Sequence, residues 1–286
     1  MIARVRAVAA TALITFAAAA LTVAREMPAQ QPAQQPTQQG AQQPAAQDGE
    51  RIRPPFGVGE RMEYDVRFGH LHVGNGDMEV LPMDTVRGQE TWHTLFHLSG
   101  GYLFYKVNDR YEDWFAVNSL ASLRYHQDID EGSYEPKRHY EIFPDRLEFI
   151  EYNKEGVAKP PRASVAHPLD EGSFLYYLRT VPLRIGMDTT FNDYFMAERN
   201  PVRFRVLRRD TIEVPAGRFA AIVVQPIFES KLFSEGGQAQ VWLSDDENRI
   251  MLQMKSKVSF GSLNLYLKNY RPSPSSSGRL NRVEKR

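Results

Sequence analysis

The chain has 286 residues and no cysteine. This absence excludes disulfide bridges, thiolate metal sites, iron–sulfur clusters, cysteine nucleophiles and the lipidated cysteine of a bacterial lipoprotein. The chain also lacks an excess of either charge, because 35 Lys and Arg residues balance 35 Asp and Glu residues. Nucleic-acid binding depends on clustered basic side chains, so we expect no nucleic-acid partner.

Common catalytic signatures are missing as well. The sequence contains no G-x-S-x-G nucleophile elbow, no H-E-x-x-H zinc motif, no P-loop and no dinucleotide-binding G-x-G-x-x-G. We therefore predict no catalytic residues, no metal and no cofactor. These absences favour a protein without enzymatic activity.

The N-terminus has the composition of an export signal. Arg4 and Arg6 precede an apolar, alanine-rich run at residues 7–24, and small residues lead up to a cleavage point after Ala24. This pattern is typical of a secretory signal peptide, so we predict that residues 1–24 are removed on export to the periplasm. The alternative is an uncleaved inner-membrane anchor formed by residues 7–24.

Two further segments have the composition of disordered chain. Residues 25–55 are rich in Gln, Pro and Ala, and residues 273–286 combine a Pro/Ser-rich stretch with a basic end. Neither can bury enough apolar surface to offset its ordering entropy, so we predict a disordered linker and a disordered tail. Either terminus could contact a membrane or another envelope protein. The folded domain is predicted to span residues 56–272.

Within that domain, apolar side chains mostly alternate with polar ones. In residues 62–68, Met, Tyr, Val and Phe alternate with Glu, Asp and Arg, and the same period of two recurs in residues 202–206, 250–254 and 263–267. Strict alternation gives a strand one buried and one solvated face, which is typical of antiparallel sheet. The pattern predicts a mainly β domain.

Turn-forming residues separate these runs, for example at Gly74-Asn75-Gly76, Pro215-Ala216-Gly217 and Asp245-Asp246-Glu247-Asn248. A sheet of about ten strands cannot stay flat, because strand twist accumulates until the sheet curls or closes. We therefore predict a single strongly curved antiparallel sheet, either a barrel or a half-barrel. A β-sandwich is the alternative.

Residues 170–181 form the exception to the strand pattern. From Phe174 onward, apolar side chains recur at helical spacing over two turns. Asp170 or Ser173 can cap the start of this segment, and Pro182 ends it because the residue before proline avoids the α region. We predict one amphipathic helix that covers the sheet as a lid or a plug.

Histidine and acidic residues are the remaining candidates for chemistry. His70 and His72, together with His93 and His97, have spacings that could place imidazoles on neighbouring strands. We favour separate surface histidines over a zinc or copper site.

Acidic groups at residues 109–113, 128–131 and 245–247 could supply the carboxylates of a glycosidase. Turns and strand ends commonly carry such residues, so we assign them structural roles.

Aromatic and apolar side chains of the sheet and the helix could line a cavity on the concave face. A filled core is the alternative, because barrels of about eight strands are filled by their own side chains. The predicted ligand-contacting residues are Tyr64, Phe68, Trp92, Phe96, Phe174, Tyr177, Leu178 and Trp242.

Several motifs together resemble an exported bacterial family, the domain of unknown function 3108. The motifs are Phe56-x-x-Gly59-Glu60-x-x-x-Tyr64, Asp170 with Tyr176-Tyr177-Leu178-Arg179, Pro215-Ala216-Gly217-x-Phe219, and Val241-Trp242-Leu243-Ser244-Asp245-Asp246. The resemblance covers about residues 56–270 and implies no activity or functional residues. Its strand-rich pattern is similar to that of the half-barrel lipoprotein and lipid carriers of the periplasm, which is an analogy of fold only.

Our interpretation is an exported protein that binds an apolar envelope molecule, such as a lipid, or assists envelope assembly. The first alternative is a hydrolase that acts on an envelope polymer. The second is a structural module that pairs with another envelope protein through an edge of the sheet.

Overall fold

The computed structural model describes residues 54–102, 105–131, 134–227, 239–258, 261–275 and 280–283. The predicted signal peptide, most of the predicted linker and part of the predicted tail therefore lie outside the described residues. No helix within the described ranges combines the length and the apolar character needed to cross a membrane.

Alternation of apolar and polar residues produces strands throughout the described domain. The strands, in chain order, are β1 (Arg61–Phe68), β2 (Leu71–Val80), β3 (Asp84–Val86), β4 (Gln89–Tyr102), β5 (Tyr105–Ala116), β6 (Ser122–Asp128), β7 (Lys137–Phe143), β8 (Glu148–Tyr152), β9 (Arg162–Ala163), β10 (Asp188–Phe191), β11 (Val202–Val214), β12 (Gly217–Ile227), β13 (Gln240–Ser244), β14 (Met251–Val258) and β15 (Gly261–Arg271). In β1, for example, Met62, Tyr64 and Val66 are buried while the charged residues between them are half-exposed.

These strands form one antiparallel sheet. Its order begins with β10, runs through β11 to β15, and continues with β1, β2 and β4 to β9, while β3 pairs only with β4. The last strand, β15, pairs with the first, β1, so the two ends of the domain sequence meet in the middle of the sheet. The prediction of a single antiparallel sheet is confirmed.

The sheet curls but does not close. Strand β11 contacts β15 although β12, β13 and β14 lie between them in the sheet. The two outermost strands, β9 and β10, do not pair with each other among the described residues. The segments beside them meet instead through a backbone bridge between Leu169 and Tyr194 and an ion pair between Arg162 and Glu198. Of the predicted architectures, an open, half-barrel-like sheet is the one observed, and neither a closed barrel nor a sandwich is formed.

Cross-strand pairing identifies the inner face of the sheet, because paired residues point to the same side. One row of cross-strand partners crosses six strands and all its members are buried. The row consists of Val206, Val224, Val241, Met254, Leu265 and Val66. The inner face is therefore a continuous apolar surface.

The structure corrects the predicted turn at Gly74-Asn75-Gly76, which lies inside β2. The turn between β1 and β2 is at Gly69-His70 instead. A Cβ atom on Gly74 would lie 2.2 Å from the carbonyl oxygen of Ser99 on β4. The glycine therefore serves the close approach of two backbones rather than a reversal of the chain.

The predicted helix is confirmed as α1 (Glu171–Thr180), and a 3-10 helix follows at Ala197–Arg199. Asp170 is the N-cap of α1, and Val181 ends the helix in an extended conformation before Pro182. Phe174 is 2% exposed and Leu178 is 0% exposed, whereas Tyr177 is half-buried. Because almost every side of the helix is buried, α1 is a plug rather than a lid.

The burial of α1 predicts a large cost for truncating its apolar face. We expect Phe174→Ala to lower the free energy of unfolding by about 3–5 kcal/mol, because the ring leaves a cavity that the sheet cannot fill. Urea denaturation measures this loss. The control is Val157→Ala, at a side chain that is 60% exposed and should have little effect. A loss below about 1 kcal/mol for Phe174→Ala would contradict the plug role.

Candidate functional site

The first turn of α1 is held by a buried polar network. The Oδ1 atom of Asp170 accepts a hydrogen bond from the backbone N–H of Ser173 (2.8 Å), whose hydroxyl oxygen accepts one from the backbone N–H of Asp170 (2.9 Å). This reciprocal pair is a capping box. Ser122 on β6 donates its hydroxyl proton to Oδ2 of Asp170 (2.7 Å), which ties the helix to the sheet.

Asp113 on β5 lies against the same turn. A Cβ atom on Gly172 would come within 2.2 Å of its Oδ2 atom, so only glycine allows this contact. The Thr94 hydroxyl donates a hydrogen bond to Oδ2 of Asp113 at 3.2 Å. The other carboxyl oxygen, Oδ1, is buried and has no hydrogen-bond partner among the described residues.

Glu171 extends this group of buried carboxyl groups, and Tyr194 donates its hydroxyl proton to Oε1 of Glu171 at 3.0 Å. Burial, reinforced by the Asp170 carboxylate, raises the pKa of Glu171 to about 7. The same two causes raise the pKa of Asp113 well above its usual range.

These carboxyl groups could exchange protons, but they cannot touch a substrate. Asp170 is 0% exposed, Asp113 is 1% exposed and Glu171 is 2% exposed. A general acid or base must come within hydrogen-bonding reach of the reacting group. We therefore assign Asp113, Asp170 and Glu171 to the support of α1.

The C-terminal end of α1 is held by a buried ion pair. The Nη1 and Nη2 atoms of Arg179 donate to the two carboxylate oxygens of Glu60 at 2.5 and 3.0 Å. Its Nη2 also donates to the backbone oxygen of Pro55 (2.9 Å), and its Nε donates to that of Asn248 (3.0 Å). With side chains that are 4% and 0% exposed, Arg179 and Glu60 form a fully desolvated pair.

The structure does not gather the eight predicted ligand-contacting residues at one cavity. Tyr64, Phe96, Phe174 and Leu178 are buried in the hydrophobic core, and Trp92, Tyr177 and Phe68 are half-buried.

Trp242 points away from the other predicted residues. Its neighbour Val241 belongs to the inner row, so Trp242 lies on the outer face of the sheet. There its indole N–H donates to Asp210 at 3.1 Å, and Lys255 lies over the ring at 5.2 Å from the ring centroid. This side chain cannot line the concave face.

The four histidines considered from the sequence are spread over the surface. His70 lies in the β1–β2 turn, and His72 lies near the start of β2. On β4, His93 contacts Glu112 at 2.9 Å, and His97 shares the same outer face. Within the described ranges, no group of three or more His, Asp or Glu residues is arranged to hold a metal ion.

Several carboxylates of the acidic groups at turns and strand ends have partners within the protein. Asp109 is 2% exposed, and its Oδ1 accepts a hydrogen bond from the backbone of Asp130 at 3.0 Å. Asp246 accepts hydrogen bonds from its own loop, and Asp245 contacts Arg209 at 2.7 Å. These contacts stabilise the β13–β14 turn.

An open groove of about 470 Å³ lies where β15 ends. Its apolar wall consists of Ala216, Phe219, Pro272 and Leu280. The turn between β11 and β12 reaches β15 through a hydrogen bond from the Ala216 N–H to the Leu267 carbonyl (3.0 Å). This volume is within the range of small-molecule sites, about 300–1,000 Å³.

The segment predicted as a disordered tail supplies part of this groove. Arg282 forms a backbone bridge with Phe219, and the N–H of Val283 donates to the carbonyl of Arg218 at 2.8 Å. Gly217 has a φ of +137°, and a Cβ atom there would lie 3.2 Å from Nε of Arg282. Sequence analysis missed the groove, although it singled out the Pro-Ala-Gly turn that forms one of its walls.

The polar lining of the groove is basic. Lys268, Asn269, Tyr270 and Arg282 complete the lining, and no carboxylate is among the lining residues.

A second groove of about 440 Å³ lies beside the end of α1, and Asp245, Asp246 and Glu247 are among its lining residues. Its apolar lining is limited to Val181 and Pro182, so the first groove is the stronger candidate for an apolar ligand.

The raised pKa of Glu171 predicts a specific dependence of stability on pH. The unfolded carboxyl group loses its proton above about pH 4.5, whereas the folded group keeps it to about pH 7. The free energy of unfolding therefore falls by about 3 kcal/mol through Glu171 as pH rises from 4.5 to 7.

His126 has the opposite effect on stability. Burial and the neighbouring His139 lower its pKa to about 4, so its contribution to stability is lost as pH falls.

Comparison of Glu171→Gln with the wild type isolates the Glu171 contribution. We expect the wild type to lose stability relative to the variant between pH 4.5 and 7, as measured by urea denaturation. Glu135→Gln, at an exposed carboxylate, is the matched control and should show no such difference. Parallel pH profiles for the wild type and Glu171→Gln would contradict the prediction.

The Arg179–Glu60 pair predicts a strong coupling energy. We expect Glu60→Gln to cost about 3–5 kcal/mol of stability, because it leaves the buried guanidinium without its counter-charge. The double variant Glu60→Gln/Arg179→Met should lose less than the sum of the two single variants, since it leaves no buried charge. Additive losses in thermal or urea denaturation would show that the two residues act independently.

The solved structures that are similar to the chain include the following two. A "beta-barrel-like protein of domain of unknown function DUF1849" from Brucella abortus aligns with a TM-score of 0.48 and 10% identity, over 76% of this chain and 99% of that one. A "putative lipoprotein" from Parabacteroides distasonis aligns with a TM-score of 0.33 and 8% identity, over 76% of this chain and 98% of that one. No curated protein sequence matches the chain.

The family model described as "Protein of unknown function (DUF3108)" matches residues 63–268. The matched region runs from β1 through α1 to β15, and therefore includes every strand of the sheet. The chain belongs to the DUF3108 family.

Proposed function

We propose that this protein is an exported, non-enzymatic domain of the bacterial periplasm that binds an apolar envelope molecule. The binding site is the open groove beside β15 rather than the inside of the sheet. Export is supported by the basic start and the apolar run of residues 7–24. Assistance in envelope assembly is the biological role that we propose for this binding.

The observation that carries this proposal is the groove of about 470 Å³ with one apolar wall. Ligand sites are concave and mostly apolar, with a few polar groups that orient the ligand. The groove combines both kinds of surface, since four apolar residues and four polar ones line it. The groove is also favoured because the concave side of the sheet is already filled by α1 and by buried aromatic side chains.

The two alternative functions have less support. A hydrolase would need two carboxylates that converge on a substrate. The carboxyl groups that cluster around the first turn of α1, Asp113, Asp170 and Glu171, are at most 2% exposed. Pairing through a sheet edge would need a long free strand. The outermost strands β9 and β10 are instead short, with two and four residues, and short edges discourage such pairing.

Blocking the groove tests the proposal. The uncharged fluorescent probe Nile red should bind to the full mature chain, and Ala216→Trp should weaken that binding at least about fivefold, because the indole occupies the apolar wall. The backbone hydrogen bond of Ala216 is kept in this variant. Fluorescence titration gives the dissociation constants, and circular dichroism confirms the fold.

The matched control is Ala163→Trp, which adds the same side chain at an exposed alanine of β9. It should leave Nile red binding unchanged. Equal binding of the probe to the wild type and to Ala216→Trp would place the ligand elsewhere. No binding to the wild type would overturn the proposed function.

A further inference from the structure

The groove beside β15 has positively charged lining residues as well as an apolar wall. Lys268 and Arg282 both line it, and neither has an ion-pair partner among the described residues. Most other arginine residues of the described sheet contact a carboxylate, as Arg61, Arg203 and Arg271 do. Two unpaired cations at one groove leave a local excess of positive charge.

Two carboxylates that contact the lining residues Asn269 and Tyr270 have further partners within the protein. Glu60 binds Arg179 and accepts a hydrogen bond from the Tyr270 hydroxyl at 3.4 Å. Glu63 accepts a hydrogen bond from the side-chain amide of Asn269 at 2.8 Å and pairs with Arg61. A hydrogen bond from Asn269 and the nearby charges of Arg61 and Lys268 lower the pKa of Glu63, so Glu63 offsets part of the Lys268 charge. No carboxylate lines the groove itself, and the remaining positive charge is available to a ligand.

The apolar residues and the two cations line the same groove. Leu280 and Arg282 come from the same short tail segment, whereas Lys268 and Tyr270 belong to β15 and Pro272 directly follows it. An occupant that satisfies both surfaces needs an apolar body and an anionic group at one end. The volume of about 470 Å³ lies in the lower half of the range for ligand sites, which suits one acyl chain better than two.

We propose that the groove binds a single-chain anionic amphiphile, with its anionic headgroup at Lys268 and Arg282 and its chain along Ala216, Pro272 and Leu280. This inference rests on the proposed function and adds the chemical class of the ligand. The apolar wall provides affinity by removing the chain from water. The two cations select the anionic headgroup and steer it to the groove.

The probes for the test are 11-(dansylamino)undecanoic acid, which carries a carboxylate on one alkyl chain, and its uncharged methyl ester. The wild-type mature chain should bind the acid more tightly than the ester. The double variant Lys268→Gln/Arg282→Gln should weaken binding of the acid about five- to tenfold at low ionic strength and leave the ester unchanged. Added salt should weaken only the binding of the acid.

Lys106→Gln/Arg184→Gln is the matched control. It removes two exposed cations that have no ion-pair partner among the described residues and that lie outside the groove lining. It should bind both probes as the wild type does. If the control variant also loses affinity for the acid, net charge rather than the groove is responsible, and the proposal is overturned.

The outcomes separate this inference from the proposed function. Equal affinity for acid and ester, unchanged in the Lys268→Gln/Arg282→Gln variant, would overturn the anionic ligand class while leaving an apolar site. Failure of both probes to bind would overturn both. An oligoglutamate peptide that displaces the acid as well as unlabelled dodecanoate does would identify an acidic polypeptide as the ligand instead.

Discussion

Burial of a helix inside a curved sheet requires that both helix ends satisfy their polar groups without water. The N-terminal end of α1 does so through Asp170, whose carboxylate binds Ser173 and Ser122. The C-terminal end does so through Arg179 and Glu60. Unsatisfied buried polar groups cost about 1–3 kcal/mol each, and a lone buried charge costs more, so the position of the plug depends on these contacts.

The motifs that resemble the family have structural tasks in this arrangement. Glu60 is the counter-charge of Arg179, Asp170 caps α1, and Asp246 stabilises the β13–β14 turn. Tyr64 donates its hydroxyl proton to the backbone oxygen of Met251, across the core. These residues explain how the sheet and the plug are joined.

The elements predicted from local patterns are the ones that local physics controls. The strands around residues 62–68 and 263–267 and the helix after Asp170 follow from the period of two, the helical spacing and Pro182. Gly74-Asn75-Gly76 misled the turn prediction because glycine favours both turns and close backbone approach. Only the pairing of β2 with β4 distinguishes these two uses.

Composition and periodicity thus determined the strand-rich class, the single helix and its boundaries, since these depend on neighbours within a few residues. The tertiary structure decided where the sheet stays open, that α1 is buried, and that Trp242 lies on the outer face. It also brought Arg282 of the tail beside Phe219 and placed Lys268 on the same groove. Such contacts join residues far apart in sequence, and their partners are set by strand order and register rather than by any local pattern.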